Sequence, residues 1–273
     1  MRPPFRYFGG KARLARWITG WFPEHYVYLE PFCGSAAVLL AKRRCAHEII
    51  NDADRNVVTF YRMLRDRPDD LARACALTPY ARDELAAADL SDETLDDLER
   101  ARRFYVRSMQ GFSGVTGRSG WSITTAQRTA RASTAASRIG EFAALADRLS
   151  AVSIENADAL SVIDRYATAD AVIYADPPYL AAVREASSSQ VYRHEMADEA
   201  SHQALADALN RTPAFVVLSG YLSPSYERLY PGWHRIERRT FTTAGNRRSS
   251  GREVVECLWF NRPPAQQLAL PGA

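Results

Sequence analysis

The sequence predicts an α/β fold, a doubly wound and mostly parallel sheet interrupted by a helical insertion. Three observations predict it. Residues 171–175 (Ala-Val-Ile-Tyr-Ala) and 214–218 (Ala-Phe-Val-Val-Leu) are continuous small or apolar runs, the pattern of strands covered on both faces. Residues 26–40 (Tyr-Val-Tyr-Leu-Glu-Pro-Phe-Cys-Gly-Ser-Ala-Ala-Val-Leu-Leu) read as strand, glycine turn and helix, the first unit of such a sheet. From about residue 67 to 150 this alternation stops and apolar residues recur at helical spacing.

In chain order, Phe5-Arg-Tyr-Phe-Gly-Gly-Lys11 opens the fold. Gly9 and Gly10 allow a tight turn, and Lys11 stands at the entrance of a helix running through Leu14, Trp17 and Ile18. The lysine can be solvated or can pair with the carboxylate of a bound amino acid. In the turn of residues 26–40, Gly34 lets the backbone approach a ligand closely, but Ser35 and Ala36 follow it. The three-glycine dinucleotide fingerprint is therefore absent, which argues against a nicotinamide dehydrogenase. Glu48-Ile-Ile-Asn-Asp52 is a second strand ending in an acid eighteen residues after Gly34, the place of a ribose-diol ligand in doubly wound sites. Asp54 competes for that role but suits better as the cap of a helix over 55–65.

Leu71, Leu77, Leu85, Leu95 and Leu98 then follow helical patterns. Residues 110–122, Gln-Gly-Phe-Ser-Gly-Val-Thr-Gly-Arg-Ser-Gly-Trp-Ser, are expected to form a loop or short hairpin. Ile139, Phe142, Leu145 and Leu149 mark one apolar face of a helix returning to the core. Residues 152–158 resume the sheet and end at Asp158, which reads as a helix cap. Residues 180–195 are polar, serine-rich and without a clear period, and are expected to form a flexible lid or DNA-facing loop; His194 and His202 are expected to be surface or core histidines rather than catalysts. Residues 234–242 and 252–261 read as an antiparallel pair around the tip 245–251, and the tail after Pro263 as disordered.

Composition bounds the function. The 273 residues are nearly half hydrophobic, enough for one large domain or two modest ones. No apolar run is long enough to span a bilayer, and Met1-Arg-Pro-Pro-Phe-Arg lacks an apolar signal core. Cys33, Cys45, Cys75 and Cys257 have no paired spacing, so neither a zinc site nor a disulfide framework is expected. A cytoplasmic enzyme with no metal and no membrane contact fits best, and a monomer is favoured. Charge is segregated. Residues 66–99 carry eleven acids against three arginines, 100–140 carry eight arginines and no acid, and 235–252 carry six arginines against one glutamate. Arginine-rich coding bias explains why there are only two lysines, but not a forty-residue absence of acids. Basic stripes of this kind fit a polyanion such as DNA or RNA.

The stretch with the most chemistry is Asp176-Pro177-Pro178-Tyr179, at the end of the 171–175 strand. Proline fixes its own φ and lacks an N–H, so the strand ends there, and Pro178 pushes Pro177 out of the helical region. The corner holds a carboxylate, a carbonyl and an aromatic ring in a nearly fixed relation. An exocyclic amine on a nucleobase is a poor nucleophile because its lone pair is delocalised into the ring. Asp176 and the Pro177 carbonyl can each accept one amine hydrogen, which localises the lone pair, while Tyr179 stacks on the base. The plainer alternative is a turn with a buried aromatic.

These motifs resemble the Dam-type DNA adenine methyltransferases, the adenine-specific group with an Asp-Pro-Pro-Tyr motif. Four motifs occur in the expected order, and the resemblance spans nearly the whole chain. It implies a seven-stranded, mostly parallel S-adenosylmethionine-dependent methyltransferase sheet formed by residues 1–60 and 150–262. It also implies an inserted helical DNA-recognition domain over 61–149 and a tail over 263–273. The implied activity is transfer of a methyl group from S-adenosylmethionine to the 6-amino group of an adenine flipped out of double-stranded DNA. Carried over residue by residue, Asp176, Pro177, Pro178 and Tyr179 are catalytic. Tyr7, Lys11, Phe32, Gly34, Asp52, Asp158 and Asp176 are implied to bind the cofactor. Tyr7 replaces the family's usual tryptophan, and Ala36 replaces the second glycine of its Pro-Phe-x-Gly-x-Gly turn. Arg107 and Ser113, the latter in place of an asparagine, match the family's motif and are implied to touch DNA; Arg118 and Trp121, borne on the polar 110–122 loop, and Arg247 and Arg248, on the 245–251 tip, are expected to join them. The open alternatives are a cytosine or RNA amine as acceptor, an inactive DNA-binding relative, and the disfavoured nicotinamide enzyme.

Overall fold

The computed structural model describes residues 1–112, 120–123, 130–179, 198–242 and 252–264. Seven strands form one sheet: β1 (Val27–Glu30), β2 (His47–Asn51), β3 (Val152–Glu155), β4 (Ala171–Ala175), β5 (Phe215–Tyr221), β6 (His234–Thr242) and β7 (Arg252–Phe260). Their order is β3-β2-β1-β4-β5-β7-β6. The first five pair in parallel, and β7 enters antiparallel between β5 and the edge strand β6. Winding reverses between β1 and β4, so the carboxyl ends of these strands diverge there and leave a crevice.

The strands are short and apolar because both faces are covered. Alternate side chains project to opposite faces. Tyr28, Ile50, Val172, Tyr174, Val217 and Leu258 pack with α1 (Ala15–Thr19), α2 (Ala37–Ala41) and α3 (Arg55–Asp66). Leu29, Ile49, Ile173, Val216, Leu218 and Trp259 pack on the other face with α9 (Ala159–Tyr166), α10 (Glu199–Arg211) and α11 (Pro224–Leu229). His202 is buried in α10, a core histidine with its ring 6.2 Å from that of Tyr226.

Between α3 and β3 the described residues form α4 (Pro68–Ala76), α5 (Arg82–Ala87), α6 (Asp97–Gln110), α7 (Arg131–Ile139) and α8 (Phe142–Leu149). Phe5, Phe60, Phe104, Tyr105 and Phe142 lock these helices to α3 and the chain start through edge-on and stacked ring contacts. One continuous apolar core thus runs from the sheet face into the insertion. Asp54 caps α3 by accepting from the Asn56 N–H at 2.9 Å, the role its position predicts. One expectation is corrected. Ile139 and Phe142 do not share a single helix, because the chain breaks at Gly140, which caps α7 before α8 begins.

Candidate active site

The crevice between β1 and β4 is a cavity of about 390 Å³. Its walls include Tyr7, Lys11, Phe32, Gly34, Asp52, Asp158 and Asp176, together with Pro178. These residues come from five separate stretches of sequence. The strand ends that carry them are tied by Asn51, which is fully buried at the end of β2. Its side-chain amide donates to the Pro31 carbonyl at 2.9 Å and the Ala157 carbonyl at 3.1 Å, and its carbonyl oxygen accepts from the Ala157 N–H at 2.9 Å. One side chain thus holds the segments after β1, β2 and β3 in register.

The first wall is a pair of turns. The Gly10 N–H donates to the Tyr7 carbonyl at 3.1 Å, closing a turn whose third residue, Gly9, has φ +70. A positive φ at that position is what a type II turn needs and glycine supplies. The Tyr7 ring lies against Gly34, where a Cβ would meet two ring carbons at 2.8 Å. Gly34 has φ +44, and its carbonyl accepts from the Tyr61 hydroxyl at 3.2 Å. Ala36 keeps the left-handed conformation, φ 49 and ψ 32, that a glycine would adopt freely. The Gly-to-Ala replacement therefore preserves the turn and stores strain of about 1–2 kcal/mol.

The second wall is acidic. Asp52 accepts from the Gly34 N–H at 2.9 Å and the Asp54 N–H at 2.9 Å, one on each oxygen. Its carboxyl is lodged against protein while the residue keeps an opening to the cavity, and burial raises its pKa to about 7. Asp158 stands at the start of α9. It caps α9 by accepting from the Ser161 N–H at 3.1 Å, and it lines the cavity. Glu30, which sequence reasoning did not single out, closes the floor. It is 2% exposed, accepts from the Tyr28 hydroxyl at 2.9 Å and the Leu39 N–H at 3.1 Å, and burial raises its pKa to about 8.

The third wall is the proline corner. Asp176 follows the last residue of β4 and opens onto the cavity, its side chain 18% exposed. Lys11 Nζ donates to Asp176 Oδ1 at 2.8 Å and to the Gly9 carbonyl at 3.1 Å. The same ammonium is 3.7 Å from Glu256 Oε1 and sits over the Tyr179 ring, 5.0 Å from its centroid. The Tyr179 hydroxyl donates to Glu256 Oε1 at 2.6 Å, and its ring meets Tyr221 edge-on at 4.7 Å. Glu256 was also missed. The available signal is an acid on the face of β7 that it shares with Leu258 and Phe260, where charge is rare unless paired.

The basic stretch is less open than its composition suggests. Arg100 is buried, donating to Asn56 Oδ1 and to the carbonyls of Leu90 and Asp92. Arg102 and Arg103 pair with Glu99 one turn back, and Arg102 also with Glu84. Arg107 donates to the Ala88 carbonyl at 3.0 Å, joining α6 to the end of α5. Acids of α5 and α6 thus neutralise Arg102 and Arg103. Trp121 packs beside Leu85, Ala88 and Val106, with the Arg82 guanidinium 5.0 Å from its ring. An isolated antiparallel bridge pairs Gly111 with Trp121. Ser113, Arg118, Arg247, Arg248 and His194 lie outside the described residues.

Among the described residues no cluster of three or more His, Cys, Asp or Glu side chains could hold a metal, and no helix is long and apolar enough to cross a membrane. A family model described as D12 class N6 adenine-specific DNA methyltransferase matches residues 7–242. The chain is also similar to the Type II methyltransferase M1.LlaDCHI of Lactococcus lactis subsp. cremoris, with 26% identity over 281 aligned residues covering 96% of this chain and 95% of that one. A match running from Tyr7 through β6, on a sheet of this order and with an Asp-Pro-Pro-Tyr corner on its cavity, places the chain in one family: it belongs to the D12 class N6 adenine-specific DNA methyltransferases.

Proposed function

We propose that S-adenosylmethionine is the methyl donor, that it occupies the cavity between β1 and β4, and that the adenine is flipped from duplex DNA to meet it at Asp176. One observation carries this: seven residues from separate parts of the chain, each a cofactor candidate, converge on one cavity whose rim is the acceptor corner. The donor set fits the molecule. Asp52 offers paired oxygens to a ribose diol, Asp158 an acceptor for a base amine, and Phe32 and Tyr7 apolar walls for the adenine and the methionine chain. Lys11 suits an amino-acid carboxylate or the acceptor corner.

When bound, S-adenosylmethionine supplies an electrophilic methyl on a positively charged sulfur, so the chain has no leaving group to activate. Its own residues act on the acceptor. Asp176 and the Pro177 carbonyl take the two hydrogens of the adenine 6-amino group, turning its lone pair towards the methyl. The attacking nitrogen becomes positively charged as the methyl arrives, and the carboxylate of Asp176 opposes that charge. One amine hydrogen then leaves as a proton, for which Asp176 is an acceptor. Tyr179 packs against the base, and Pro177 and Pro178 hold the corner rigid.

Residues 61–149 serve as the target-recognition region, with Ser113, Arg118 and Trp121 in the stretch 110–122, and Arg247 and Arg248 following in the sequence between β6 and β7. Arg107 contributes by holding α6 in place as well as by charge. The relative is named a Type II methyltransferase, and that likeness supports a Type II methyltransferase role for this chain. Calorimetric titration of S-adenosylmethionine into the wild type and Asp52→Ala tests the donor site. Weakening of about 10-fold or more is expected, from loss of the hydrogen bonds between the carboxyl and the ribose hydroxyls. Unchanged affinity would remove Asp52 from the site. Nucleoside mass spectrometry of treated DNA then reads N6-methyladenine directly.

A further inference from the structure

We infer that Glu256 is a positioning residue for the acceptor corner, holding Tyr179 and Lys11 in the arrangement that Asp176 needs. This rests on the reading of that corner as the site of the flipped adenine. Glu256 belongs to β7, the strand inserted antiparallel between β5 and β6, and is 4% exposed. It lies opposite Tyr221 on β5 and Arg238 on β6. Arg238 sits over the Trp17 ring at 5.4 Å, and Tyr221 meets the Tyr179 ring edge-on. Glu256 therefore projects from a rigid strand beneath the corner and touches it through two groups.

The first group is the Tyr179 hydroxyl, which donates to Glu256 Oε1 at 2.6 Å. Tyr179 follows two prolines and has no regular secondary structure of its own. A short bond at the phenol end, with Tyr221 against the ring, fixes the ring plane against which a base would stack. The second group is Lys11, whose ammonium stands between the two carboxylates, 2.8 Å from Asp176 and 3.7 Å from Glu256. Glu256 thus draws part of the lysine's field away from Asp176 and keeps the ammonium at the edge of the corner.

Charge gives the arrangement a purpose. Asp176, Glu256 and Lys11 in their charged forms sum to one negative charge in a poorly solvated place. Neutralising Asp176 fully with a lone lysine would weaken it as an acceptor for an amine that becomes cationic. The second carboxylate leaves the cluster with negative charge where positive charge develops. Burial raises the Glu256 pKa, with Lys11 opposing that rise and Asp176 adding to it.

The test compares Glu256→Ala, Glu256→Gln, Tyr179→Phe and the Tyr179→Phe/Glu256→Ala pair with Asp176→Ala, on bulk genomic DNA from a methylation-deficient strain. Turnover is measured at saturating tritiated S-adenosylmethionine, and S-adenosylmethionine affinity separately by calorimetry. Misplacement of an acceptor group by an ångström costs about 100-fold, so Glu256→Ala is expected to lose about that much in kcat. Glu256→Gln keeps an acceptor for Tyr179 but not the charge, and is expected to lose about 10-fold. Donor affinity is expected to stay within about 3-fold in both, since neither variant touches the ribose wall. The double variant is expected to be no slower than Glu256→Ala alone, because the two residues act as one unit. If Glu256→Ala does not fold, Glu256→Gln and Tyr179→Phe decide. Normal kcat in both overturns the inference, as does a loss explained wholly by weaker donor binding. Asp176→Ala separates the levels. If it turns over normally, the reading of the corner is wrong; if it is dead while the Glu256 variants are normal, only this inference falls.

Discussion

Lys11 Nζ lies 2.8 Å from Asp176 Oδ1, across 165 residues of sequence. The bond joins the first glycine turn of the chain to the end of β4, and both of its residues line the cavity. Both partners are largely buried, with side chains 8% and 18% exposed, and Glu256 at 6% stands on the other side of the ammonium.

Removing the cation leaves two buried carboxylates facing each other. Lys11→Met is therefore expected to destabilise the fold by about 3–5 kcal/mol, the usual cost of breaking a buried pair from one side. Activity should fall with it. Denaturant unfolding of the purified variant measures the loss directly.

Two neighbouring turn residues predict opposite outcomes. Ala36 has a backbone that glycine adopts freely, so Ala36→Gly is expected to stabilise the protein by about 1 kcal/mol, relief of left-handed strain outweighing the added chain entropy. At Gly34, φ is +44 and a Cβ would press on the Tyr7 ring at 2.8 Å. Gly34→Ala should lower the melting temperature and displace Tyr7 from the cavity wall, weakening S-adenosylmethionine binding. Thermal melts and calorimetric titration of the two variants side by side check both signs.

The pH dependence of stability follows from Glu30 and Asp52. Their pKa values rise in the fold to about 8 and about 7, from ordinary values of 4.5 and 3.8, with burial the largest cause. The folded state therefore binds more protons than the unfolded chain between roughly pH 4 and pH 8. The stability these two protonated carboxyls contribute is complete below the unfolded values and is lost as pH rises through the folded ones. The ligand-free melting temperature should fall between pH 5 and pH 8.5. Glu30→Gln, a neutral mimic of the protonated acid, should flatten that fall; a scanning-calorimetry pH series reads both.

Much of this was legible in the sequence for physical reasons. Strands buried on both faces must be continuously apolar, so β4 and β5 show themselves. A glycine turn after a strand, an acid at the end of the next strand and a proline-locked Asp-Pro-Pro-Tyr leave local marks. Asp54 and Asp158 could be read as caps because capping is a matter of three residues. What escaped was what sequence distance hides. Glu256 meets Tyr179 across 77 residues, and no local pattern announces that pairing. The arginines after residue 100 looked free because the acid that engages Arg102 and Arg103, Glu99, stands just outside the acid-free window and reaches them through helical spacing. The break at Gly140 was hidden because α7 and α8 carry apolar residues at spacings that one helix would also satisfy.

The most direct measurement is methyl transfer by Asp176→Ala set beside its DNA binding. Wild-type protein incubated with tritiated S-adenosylmethionine and unmethylated genomic DNA should yield labelled N6-methyladenine. The variant should yield none while still retarding the same DNA in a gel. Labelled N6-methyladenine at the wild-type rate from Asp176→Ala would contradict the assignment of the proline corner as the place where the adenine amine is held.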